Sequence, residues 1–154
     1  MFKRVAISML VISLFSGCAT VPMESKQHSS AAKEFNPPQE GYSGLYIYRL
    51  GGPGTALKKD VWIDGECVGE TAPNMFFYLE VEGDKEYVIS TESEFSPNDL
   101  VVMAKSGEIY FVKQYIRLGV FVGGANLKLV DRSQGEKDVA KLELALQGNC
   151  SQPR

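Results

Sequence analysis

Between residues 41 and 146 the chain consists of short apolar runs, each closed by Gly, Asp, Asn or Pro, and this punctuation excludes long helices. The first run, Gly44-Leu45-Tyr46-Ile47-Tyr48, is rich in β-forming residues. Val61-Trp62-Ile63 and Cys67-Val68 flank Asp64-Gly65-Glu66, a hairpin pattern in which Asp-Gly supplies the positive φ that a tight turn needs. Further runs fall at residues 75–81, 87–89, 100–103, 109–112, 115–122 and 127–130, with Lys105-Ser106-Gly107-Glu108 reading as a second hairpin turn. Ser133 with Glu136 forms a capping-box pattern for a brief helix, and residues 142–146 then alternate with period two, as a last strand does. About eight short strands and one short C-terminal helix predict a mainly β fold, a small antiparallel β-sandwich ahead of a partly open barrel.

The N-terminus has a different character. Met1-Phe2-Lys3-Arg4 is basic, residues 5–15 are apolar, and Ser16-Gly17 are small, the layout of a secretory signal. The apolar run is too short to span a hydrocarbon core about 30 Å thick. Leu14-Phe15-Ser16-Gly17-Cys18 resembles a bacterial lipobox, with Phe15 where Leu, Val or Ile is usual. That resemblance implies cleavage of residues 1–17 and acylation of Cys18. One acyl chain holds only marginally, whereas two or more anchor stably. Ala19 is not the Asp that favours inner-membrane retention in Gram-negative lipoproteins, so the expected location is the periplasmic face of the outer membrane. Residues 18–40, with Ser25-Lys26-Gln27-His28-Ser29-Ser30 and Pro37-Pro38, read as a flexible lipid-anchored tether, and residues 41–150 as the folded domain.

Charge and cysteine content narrow the function classes. The whole chain has a formal charge of −3, and loss of Lys3 and Arg4 with the signal makes the remainder more acidic. Nucleic-acid binding relies on clustered Lys and Arg, so nucleic acid is not an expected partner. Of the three cysteines, Cys18 is reserved for lipid. Cys67 and Cys150 are then an even pair in a chain bound for an oxidising compartment, either bridged or two separate thiols.

The residues offer little for catalysis. His28, the one histidine, lies in the expected tether, so Cys67 has no histidine base on the domain, and neither catalytic residues nor an enzyme are expected. There is no C-x-x-C and no D-x-D-x-D-G loop, so no metal is expected, and no cofactor motif occurs. Gly51-Gly52-Pro53-Gly54 is a turn rather than a phosphate loop, because the Gly-Lys-Ser/Thr ending is missing. Glu80 with Glu82, and Glu92 with Glu94, share strand faces, and the favoured reading of each pair is a solvated face. Tyr46 and Tyr48 share one face of the first strand, and core packing accounts for most such aromatics. With Arg49 beside them, they are nevertheless the tentative binding surface for a protein or a sugar ring. Residues 119–124 read as a buried strand ending in a glycine turn, in preference to a membrane-dipping loop.

Taken in order, Gly44-Leu45-Tyr46-Ile47-Tyr48-Arg49, Val61-Trp62-Ile63-Asp64-Gly65-Glu66-Cys67-Val68-Gly69 and Gly107-Glu108-Ile109-Tyr110-Phe111-Val112 resemble small bacterial lipoproteins of domain of unknown function 2846. The resemblance continues through Gly119-Val120-Phe121-Val122-Gly123 and Leu127-Lys128-Leu129-Val130-Asp131, covering roughly residues 42 to 146. Glu82-Gly83-Asp84 departs from the Pro-Gly turn of many relatives. The family implies an envelope-located, mostly β protein and no assigned reaction. The expected role is a non-catalytic binding or structural module, tethered to the membrane and contacting an envelope protein or a glycan.

Overall fold

The computed structural model describes residues 19–95 and 97–154; the expected signal peptide and Cys18 lie outside the described residues. The described chain opens with helix α1 (Lys26–Ala32), then β1 (Tyr42–Arg49), β2 (Lys59–Ile63), β3 (Glu66–Thr71), β4 (Met75–Glu82) and β5 (Lys85–Thr91). It continues with β6 (Asn98–Ala104), β7 (Ile109–Arg117), β8 (Gly124–Val130), helix α2 (Arg132–Val139) and β9 (Glu143–Leu144). One sheet has the order β8-β7-β1-β4-β9, the other β3-β2-β5-β6. Leu45, Ile47, Phe77 and Val112 of the first sheet meet Val61, Ile89 and Val102 of the second in a common apolar core. The mainly β, two-sheet architecture agrees with the sequence reading. The pairing is mixed rather than purely antiparallel, since β1–β7 and β4–β9 run parallel.

Local chemistry explains most turns. Asp64 (φ 50°) and Gly65 (φ 86°) both sit in the left-handed region, as a type I′ turn demands, and β2 and β3 form the expected hairpin. Residues 105–108 do not form a hairpin. They carry the chain from β6 in one sheet to β7 in the other, as Gly83-Asp84 does between β4 and β5. The two crossings brace each other through the Ser106 amide, which donates to Asp84 Oδ1 at 3.2 Å. Asp131, not Ser133, caps α2, accepting from the Gln134 amide at 3.0 Å. Asp131 follows the last residue of β8 directly, with its carboxylate free to turn back on the helix, two residues ahead of Ser133.

The sheet built around β1 is covered on its outer face by both helices. Tyr46, Tyr48, Phe76, Phe111, Val139 and Leu142 form a second apolar cluster there. Residues 19–40 are therefore no flexible tether. Val21 joins the main core, the Glu24 amide donates to the Leu144 carbonyl, and the Leu146 amide donates to that of Pro22. The polar residues that suggested disorder make specific bonds. Ser25 caps α1, and buried Ser29 donates to Glu143 Oε2 at 2.8 Å while accepting from the Leu144 amide. Within the described residues the chain packs on the domain from residue 19, well ahead of the expected boundary at 41.

Candidate functional site

Each residue singled out in the sequence has a definite place. Tyr46, Tyr48 and Arg49 are 1%, 0% and 2% exposed, so none of them forms a binding surface. Tyr46 donates to the Ala32 carbonyl at the end of α1, and burial pushes its hydroxyl up to about 12. Tyr48 donates to Asp138 of α2 at 2.8 Å. The two tyrosines thus clamp one helix each to the sheet. Arg49 shares strand parity with Leu45 and Ile47, and so turns toward the space between the sheets. It donates to the carbonyls of Leu57 and Gly54 at 2.7 and 2.6 Å, fixing the loop after β1.

Cys67 and Cys150 are bridged, with Cα atoms 6.0 Å apart. The C-terminal segment is a strap across β2 and β3. The Gly148 amide donates to Val68, the Glu70 amide donates to Asn149, and fully buried Asp60 accepts from the amides of Ser151 and Gln152. The strap runs past the expected domain end at 150. The carboxylate pairs are separated by function: Glu80 accepts from Tyr78, Glu82 pairs with Lys85, and Glu92 accepts from the Asp60 amide.

Asp138 ties the α2 side together. Burial raises its pKa, but hydrogen bonds from Tyr48 and Gln134 and the charge of Lys113 outweigh that, so the group lies below the usual carboxylate range. A lowered folded value means that its contribution is complete above the unfolded value and is lost as pH falls through the folded one. In urea unfolding, Asp138→Asn is expected to cost about 1–3 kcal/mol at pH 7. The gap from the native chain should shrink toward pH 3.

The surface feature that the sequence misassigned is the β7–β8 connection. Leu118, Val120, Phe121 and Val122 are 98%, 76%, 84% and 58% exposed, and Phe95 of the β5–β6 connection beside them is 78% exposed. β7 stops at Arg117 instead of continuing as a buried strand through 122. The amides of Val120, Phe121 and Val122 all donate to the carboxylate of Glu94. Partial burial of Glu94 raises its pKa, yet the three amide donors prevail and lower it. Gly119 is required here, because a side chain would run into Glu94 and the Val122 carbonyl. The backbone polar groups thus turn inward, and the apolar side chains turn to the outside.

Topology places this loop. β1 and β7 are parallel neighbours, with Arg49 beside Gln114, so the connections after both strands leave the same end of the sandwich. Leu57 in the first connection lies against Gly123 of the second. The Ala19 amide donates to Thr55 at 3.0 Å, so the described chain also begins at that end. The crossings at Gly83 and Ser106 occupy the other end. Among the described residues no helix is long and apolar enough to cross a membrane.

The family model described as Protein of unknown function (DUF2846) matches residues 39–125. The chain belongs to the DUF2846 family. A relative from Haemophilus influenzae, described as an uncharacterized protein, is 49% identical over 146 residues, 95% of this chain and 86% of that protein. The DUF2846 match runs from just before β1 to the first residues of β8, while the likeness to the relative extends into the flanking segments. No solved structure matches.

Proposed function

We propose that this DUF2846 protein is a bacterial envelope lipoprotein, held at the periplasmic face of the outer membrane by acyl chains on Cys18, whose β-sandwich is a non-catalytic binding or structural module. The observation that carries this reading is the Cys67–Cys150 bridge. Disulfides persist in oxidising compartments, which fits export. The bridge also consumes the other two cysteines and leaves Cys18, behind its basic and apolar leader, for lipid. Burial of Tyr46 and Tyr48 removes the aromatic row on which a sugar-stacking role rested, so a protein partner is the better reading.

Crosslinking in intact cells, followed by mass spectrometry of what co-purifies with the tagged chain, tests the role. A discrete envelope protein, recovered in the membrane fraction, is the expected outcome. Recovery of the chain from the soluble fraction without an envelope partner would contradict it.

A further inference from the structure

We infer that residues 118–122, with Phe95, insert into the lipid surface as a second attachment, seating the sandwich end-on against the bilayer. This inference rests on the proposed acylation of Cys18. Exposed apolar side chains are common singly, but four within five residues with an exposed Phe alongside form a patch that calls for an apolar partner. Three observations select lipid as that partner.

The first is position. The described chain starts at Ala19, hydrogen-bonded to Thr55 in the connection whose Leu57 lies against Gly123, so an anchor just ahead of it would join the domain at the same end as the apolar loop. The segment after Cys18 packs on the domain instead of forming a spacer, so the anchor cannot hold this end at a distance from the headgroups. The second is backbone chemistry. Peptide groups entering lipid need internal partners, and Glu94 supplies them for three consecutive amides at the tip. The third is the rim. Arg117 is exposed at the base of the loop, where its stem can lie along apolar surface with its charge at headgroup level.

The test uses the acylated full chain in vesicles of phosphatidylethanolamine and phosphatidylglycerol, with an environment-sensitive fluorophore on Val120→Cys and, at the far end, on Glu86→Cys. A blue-shifted emission at 120, quenched by lipids brominated on their acyl chains, is expected, while the probe at 86 reports water. Adding Phe121→Asp should abolish the shift at 120 while the acylated chain still pellets with vesicles. A water-like signal at 120 in chain that pellets overturns the insertion and leaves the anchor standing. Chain that neither carries palmitate nor pellets overturns the anchor, and with it this placement.

Discussion

Replacing Cys67 and Cys150 together with serine is expected to destabilise the protein by about 4 kcal/mol, within a range of roughly 2–5. The bridge spans 83 residues of sequence, so breaking it frees a long loop in the unfolded chain. In the native state, the strap keeps its bonds from Gly148 to Val68 and from Ser151 and Gln152 to Asp60, so the fold itself should persist. Urea unfolding of the oxidised chain against the double variant measures the difference. A loss below about 1 kcal/mol would mean that the strap holds the C-terminus unaided or that the thiols are not joined. Because Asp60 is anchored in β2 and Cys67 in β3, the strap ties that hairpin to the C-terminus from two sides.

Phe77→Ala should be comparably severe, about 3–5 kcal/mol, because its ring is fully buried between the sheets and its removal leaves a cavity that close packing cannot refill. Phe121→Ala should change stability by no more than about 0.5 kcal/mol, as surface substitutions do. The contrast matters more than either value. Two phenylalanines, each inside a short apolar run, differ in whether the fold uses them. A stability loss of several kcal/mol at Phe121, read by thermal or urea unfolding, would show that the loop packs inside and has no apolar surface to offer.

The sequence disclosed the strands better than their neighbours. Asp64-Gly65 dictates its own backbone angles, so the β2–β3 hairpin was legible locally. Lys105-Ser106-Gly107-Glu108 carries the same turn chemistry, but whether the next strand joins the same sheet depends on partners far along the chain, such as β1 for β7. Core packing is the favoured reading of Tyr46 and Tyr48, and the structure agrees. The tentative surface reading stays open in the sequence because the elements that cover them, α1 and α2, are short and polar and give no strong amphipathic signal. Residues 19–40 mislead for the same reason: Ser25 acts through one specific hydrogen bond and Ser29 through two, which composition cannot reveal. The loop at 118–122 carried one local hint, glycines on both sides of a short apolar run. Its outward turn is set by Glu94, a residue in another connection, and only the fold brings the two together.

The proposed lipid anchor and the membrane seating inferred from it both depend on the state of Cys18. Mass spectrometry of the mature protein's N-terminal tryptic peptide, residues 18–26, examines it directly. The expected peptide begins at Cys18 and carries a diacylglyceryl group on its sulfur and an acyl group on its amine. A mature chain that begins elsewhere, or a Cys18 with an unmodified thiol, would contradict it.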